Sequence, residues 1–217
     1  MILGIIPARG GSKGVPRKNI RIFNGKPLLC WTIEDAQKSK LLDKFIVSTE
    51  DPEIAEISRA AGAEVIVRPP ELATDEATTI AVIQDILTNI DAKVIVLLQP
   101  TSPIRAENLI DRGIRLYLDT NVDSVAAGNE SFHFEWKGRE NIPRQKLKGI
   151  FCDNGSLYVH KADNIKKGIW VGERIEYLHV DQIYNYEIDT ELDFLVAEFS
   201  HKLILDGKYK IPSDDTL

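Results

Sequence analysis

Glycines and cations crowd one short stretch near the start of this chain: Ala8-Arg9-Gly10-Gly11-Ser12-Lys13-Gly14-Val15-Pro16-Arg17-Lys18-Asn19. Glycine lets backbone approach a ligand closely, and successive N–H groups can then turn inward as an anion nest. Arg9, Lys13, Arg17 and Lys18 repel one another when held this close, and a bound polyanion relieves that repulsion. The spacing is neither GxxxxGK[ST] nor GxGxxG, so neither of those phosphate-binding mechanisms transfers. The plainer reading is a solvated glycine turn with surface cations. The loop's place directly after an apolar run, Ile2 to Ile6, weighs against that reading.

Other segments carry polar groups in suggestive places. Gln99-Pro100-Thr101-Ser102-Pro103-Ile104-Arg105 follows the most apolar run of the chain, Val94 to Leu98. Gln99 would point its amide at a ligand there, while the prolines stiffen the loop and preset its hydroxyls, or simply make a turn. Arg68 ends a third apolar run, and Thr78 and Thr79 stand at a helix start. Free N–H groups and hydroxyls at such a start bind polar groups, but on this segment alone plain capping is the better account and needs no function. In Glu187-Ile188-Asp189, alternate residues of a strand would share a face and aim both carboxylates at one spot. Such a pair suits Mg²⁺, which prefers oxygen ligands completed by water and phosphate. A solvated acidic face, or an Asp favouring a helix N-terminus, is the competing account. Arg144 in Pro143-Arg144-Gln145 could hold a carboxylate bidentately, though a surface arginine is commoner.

The elements that must position these groups alternate. Runs at Ile2–Ile6, Lys44–Ser48, Val65–Val67, Val94–Leu98 and Ser124–Ala127 read as strands. Helical stripes separate them at Pro27–Lys38, from Asp51-Pro52 to Gly62, around Ile80–Ile90 and over Leu109–Leu118. The pattern predicts an α/β fold, a mostly parallel, doubly wound sheet with helices on both faces. Ligands on such sheets lie beyond the carboxyl ends of the strands, where the loops above fall. The rhythm breaks after Gly128, so residues 129–150 read as an inserted arm within a single domain spanning 1–217. Asn154-Gly155 reads as a tight turn before a strand at Ser156–Val159. Thr190 with Asp193 resembles a capping box opening a last helix from Glu191 to about His201. From Gly207 the tail is polar and expected to be loosely held.

Composition narrows the function. Lys and Arg number 27 against 33 Asp and Glu, a net charge of −6, which argues against a broad nucleic-acid-binding face. No apolar run approaches the roughly 18 residues that span a bilayer, and no basic leader precedes the first strand. Cys30 and Cys152 form no CxxC pair, and the histidines form no HExxH set. A reducing cytoplasm is the expected compartment.

In order and spacing, these segments resemble the cytidylyltransferases that make CMP-activated sugar acids, closest to the acylneuraminate group with its legionaminate-type relatives. The match is carried by Ile6-Pro7-Ala8-Arg9-Gly10-Gly11-Ser12-Lys13-Gly14, Lys18-Asn19, Arg68-Pro69 with Glu71-Leu72-Ala73, Leu97-Leu98-Gln99-Pro100-Thr101-Ser102-Pro103, Pro143-Arg144-Gln145, Asn154-Gly155 and Asp189-Thr190-Glu191-Leu192-Asp193. The resemblance implies that CTP and a 2-keto-3-deoxy sugar acid give a CMP-sugar acid and pyrophosphate. It implies that Arg9, Gly10, Gly11, Ser12 and Lys13 hold the triphosphate, that Lys18 neutralises the α-phosphate, and that Asn19 reaches the ribose. Arg68, Ala77 and Thr79 fall around the cytosine, and Gln99, Ser102 and Arg144 toward the sugar acid. Asp189 with Glu187 would hold Mg²⁺ or Mn²⁺. A homodimer, built by the arm, is implied as well. The chain departs from the family in two places: Glu187 stands where Asp is usual, and the arm is short. An octulosonate-type cytidylyltransferase, a sugar-phosphate nucleotidyltransferase and a nucleotide-binding module without catalysis are the other readings.

Overall fold

A computed structural model describes residues 1–132 and 143–209. Its main sheet runs, edge to edge, Glu64–Val67 (β5), Lys44–Thr49 (β4), Ile2–Pro7 (β1), Val94–Leu97 (β6), Ile150–Lys161 (β8), Ser124–Ser131 (β7) and Ile175–His179 (β9). Ile22–Phe23 (β2) and Lys26–Pro27 (β3) pair separately. Strands β5, β4, β1 and β6 are parallel; β8 is antiparallel to both β6 and β7, and β9 is parallel to β7. The sheet is therefore mostly parallel, as the alternation of elements predicts.

The central strands are apolar on both faces because both faces are covered. In β1, Leu3 and Ile5 face one helix layer and Ile6 the other; in β6, Ile95 and Leu97 oppose Val94 and Val96. Helices α1 (Leu28–Lys38), α2 (Pro52–Ala60), α4 (Leu109–Thr120) and α6 (Glu191–Leu205) pack on one side, α3 (Thr79–Asn89) and α5 (Ala162–Lys166) on the other. From β1 the chain winds outward through β4 to β5, then returns to β6 on the far side of β1. The switch point lies between β1 and β6, where an open α/β sheet leaves a crevice.

Helix starts follow the sequence closely. The Asp51 carboxylate accepts from the N–H groups of Glu53 and Ile54, with Pro52 in the first turn. Thr190 and Asp193 form the expected capping box, although α6 runs on to Leu205. Thr190→Ala should lower stability by about 1 kcal/mol, the usual cost of losing such a cap. A lower urea midpoint at unchanged slope is the measurement.

Three expectations need correction. Strand β7 does not stop near Gly128: Gly128 pairs with Asp153 and Ser131 with Ile150, after a register shift at Ala126/Gly128. The expected arm thus begins and ends as sheet. Its polar residues Asn129, Glu130 and Ser131 hid the strand, because they show no apolar alternation. Residues 133–142 of the arm, and the tail from residue 210, lie outside the described residues. Asn154-Gly155 is not a turn but part of β8, where Gly155 takes φ +70°. The dipeptide supplies the same backbone freedom, used for a bend inside a strand. Glu187–Asp189 is not a strand either; the segment is irregular, pinned by the Ile188 N–H donating to the Thr101 carbonyl at 2.8 Å. No described helix is long and apolar enough to cross a membrane.

Candidate active site

The crevice beyond β1 and β6 is a cleft of about 450 Å³. Arg9, Ser12, Lys13, Gly14, Lys18 and Asn19 line one wall, Arg68 with Leu72, Asp75, Ala77 and Thr79 another. Gln99 with Pro100 and Thr101, and Glu187 with Asp189, complete it. Segments far apart in sequence therefore meet at one place.

The glycine loop is held at its neck. The Ala8 N–H donates to the Ser48 carbonyl at 2.9 Å, and the Asn19 side-chain amide donates to the Arg9 carbonyl at 2.9 Å. Gly14 lies against the acidic segment: a Cβ there would fall 1.9 Å from the Asp189 carbonyl oxygen. At Gly10 a Cβ would fall 2.4 Å from an Asp51 carboxylate oxygen, whereas nothing lies within 4 Å at Gly11.

The four cations do not crowd as their spacing suggests; each has a carboxylate. Arg9 pairs with Asp75 at 2.8 Å, and Lys13 pairs with the same carboxylate. These two cations, Lys13 first, hold the Asp75 carboxyl below its usual range. Arg17 adopts φ 55° and turns out to Asp51 and Glu53. Lys18 points inward, its buried ammonium donating to the Ile188 carbonyl and standing 3.3 Å from Asp189. Sequence reading missed Asp75, because an acid in a loop of Thr, Asp and Glu carries no spacing signal.

Arg68 is 5% exposed. It donates to the Ser48 and Leu72 carbonyls, and burial lowers its pKa while Glu50 opposes the shift. Thr78 caps α3, accepting from the Ala81 N–H at 3.3 Å, so the capping account holds for it, while Ala77 and Thr79 are on the cleft wall. Leu72 and Val82 add apolar surface to this wall.

On the far wall, the Gln99 side-chain oxygen is buried without a partner. Its backbone carbonyl accepts from Arg105 at 2.7 Å. The Arg105 side chain is buried, donates also to the Ser156 carbonyl and the Thr32 hydroxyl at 2.9 Å, and faces Asp35 at 3.8 Å. Burial pushes its pKa down to about 10. Ser102 does not reach the cleft: it is fully buried and its hydroxyl donates to the Asn154 carbonyl at 2.6 Å. It braces the bend at Gly155 rather than meeting a ligand. Arg144 opens a short 3-10 turn, Arg144–Lys146, and its side chain lies outside the described part.

Glu187 and Asp189 converge despite the missing strand. Partial burial, then the neighbouring Asp189 and Asp153, push the Glu187 carboxyl up, and Lys18 offsets this only in part. The donors are all oxygen, which fits a hard divalent cation. Among the described residues no third acid, His or Cys closes a ligand set, so such an ion would need water or phosphate oxygens as well.

Residues 3–167 match the family model described as Cytidylyltransferase. N-acylneuraminate cytidylyltransferase A of Danio rerio is 33% identical over 214 residues, which cover 91% of this chain and 50% of that protein. The CMP-N,N'-diacetyllegionaminic acid synthase of Legionella pneumophila is 31% identical over 219 residues, covering 91% of this chain and 94% of that protein. A solved CMP:2-keto-3-deoxy-manno-octonic acid synthetase complexed with CTP shares the fold, with a TM-score of 0.72 at 15% identity over 93% of this chain and 99% of that one. The chain spans about half the length of the first curated relatives it matches, and nearly all of the Legionella protein.

Proposed function

The chain belongs to the cytidylyltransferase family, and from that premise we propose that it transfers CMP from CTP to the anomeric oxygen of a 2-keto-3-deoxy sugar acid, releasing pyrophosphate. The sugar acid is an N-acylneuraminate or a related nonulosonate. The observation that carries this reading is the contact of the glycine loop with the acidic segment. Gly14 abuts the Asp189 carbonyl and Lys18 stands 3.3 Å from Asp189, so a polyphosphate grip and a carboxylate pair share one cleft.

The residues then divide the work. Arg9 and Lys13 exchange Asp75 for the outer phosphates. Lys18 neutralises charge growing on the α-phosphate. Arg68, with Ala77 and Thr79, receives the cytosine; Asn19 fixes the loop and faces the ribose; Gln99, on the cleft wall, faces the sugar acid. The acid's anomeric oxygen bonds to the α-phosphorus as the bond to pyrophosphate breaks, and its proton leaves to solvent or a nearby carboxylate. Catalysis here is positioning and charge neutralisation. A divalent cation, Mg²⁺ or Mn²⁺, held by Asp189 and Glu187, would add charge neutralisation at the phosphates. A homodimer working in the cytoplasm, with no nucleic-acid or membrane partner, completes the proposal. The unpaired Cys30 and Cys152 suit a reducing compartment.

Asp75 competes with phosphate for two cations, so Asp75→Asn should tighten CTP binding several-fold, read by calorimetric titration. The proposal is tested by pyrophosphate release with CTP and Mg²⁺ against neuraminate-, legionaminate-, pseudaminate- and octulosonate-type acids. Turnover with octulosonate alone would favour an octulosonate-type cytidylyltransferase instead. Turnover only with sugar 1-phosphates would end the sugar-acid reading.

A further inference from the structure

Glu50 does not line the cleft, yet it touches both halves of the nucleotide site. One carboxylate oxygen accepts from the Gly10 N–H at 2.6 Å. Gly10 lies between Arg9 and Ser12, which do line the cleft. The other oxygen is buried without a hydrogen-bond partner and stands 3.9 Å from the Nε of Arg68, itself buried and unpartnered. A carboxylate this near a polyphosphate site would repel its ligand unless something engaged its charge. Glu50 is engaged on both sides: a backbone N–H of the phosphate loop on one, the guanidinium at the base end on the other. Arg68 is also repelled by Arg9, and the Glu50 charge opposes that repulsion, while the Ser48 and Leu72 carbonyls accept from the guanidinium.

We propose that Glu50 is a positioning residue that couples base recognition to the phosphate grip, using one oxygen for Gly10 and the other for Arg68. This rests on the proposed CTP site. It implies that a base seated on Arg68 draws Glu50 and the loop into place together. The triphosphate moiety alone does not gain from the Arg68 side. The Glu50 role also supplies nucleotide selectivity without a contact to the nucleotide.

The two arms can be separated by substitution. Glu50→Gln keeps an oxygen for the Gly10 N–H but turns an NH₂ group toward Arg68. Glu50→Ala removes both arms. Dissociation constants for CTP, UTP and inorganic triphosphate, with thermal midpoints, are measured for the full chain and both variants. Glu50→Gln should weaken CTP about tenfold, leave triphosphate within about twofold, and cut the preference for CTP over UTP at least fivefold, on the scale of the coupling free energies found between two linked sites. Glu50→Ala should weaken CTP and triphosphate together. Equal weakening of all three ligands by Glu50→Gln, or no change, overturns the coupling, because a merely structural residue would not shift the ratio. A wild-type chain that fails to bind CTP overturns the nucleotide reading instead, so the two failures are distinct.

Discussion

Lys18→Ala should lower kcat/KM for CMP transfer by about 10²–10³-fold, the range for removing one preorganised charge from a developing anion. Lys18 reaches the site from a short 3-10 turn, Lys18–Ile20, that follows the glycine loop. Its side chain passes through packed protein and ends against the Ile188 carbonyl and Asp189. In the proposed role, a cation so placed needs no reorganisation when charge grows on the α-phosphate. Lys18→Arg should recover little of the loss, because a planar guanidinium does not fit a slot shaped for a point charge between a carbonyl and a carboxylate. On the proposed roles, Arg9 and Lys13 still hold the outer phosphates, so the loss should fall mainly on kcat. A rise in KM with kcat unchanged would mean that Lys18 only binds the ground state.

Gly14→Ala is the second large effect, and it acts through shape alone. The added methyl would lie 1.9 Å from the Asp189 carbonyl oxygen, a backbone atom that cannot rotate away. The loop and the acidic segment must separate, at a cost of about 1–3 kcal/mol as in other overpacked sites. A displacement of roughly 1 Å between positioned groups lowers rates about 10²-fold. We expect that loss in kcat, measured by pyrophosphate release, with a lower thermal midpoint. Gly11→Ala is the control: nothing lies within 4 Å of its would-be Cβ, so it should change stability little. Equal behaviour of the two variants would refute the contact.

Much of the fold was legible because buried strands leave continuous apolar runs. The Val94–Leu97 strand sits fourth of seven and is buried along its length, as its composition predicts. Caps were legible because Asp51 and Thr190 act over a few residues. The outer half of β7 was not, since Asn129, Glu130 and Ser131 carry no apolar alternation. In the site, residue types on strand-end loops could be read, but partners could not. Asp75 and Glu50 lie far in sequence from the cations they hold, and only the winding of the sheet brings them there. Ser102 shows the opposite error: a hydroxyl in the right loop is turned into the protein by the bend at Gly155. The convergence of Glu187 and Asp189 was expected on the premise of a strand. It is achieved instead by the irregular segment that Thr101 pins.

The most direct test of the central claim follows the phosphorus. The full chain is incubated with Mg²⁺, a nonulosonate acid and CTP labelled with ³²P at either the α or the γ position. The account requires α label in a sugar-acid product and γ label only in pyrophosphate. Transfer of γ label to the sugar, or no labelled product with any 2-keto-3-deoxy sugar acid, would contradict it.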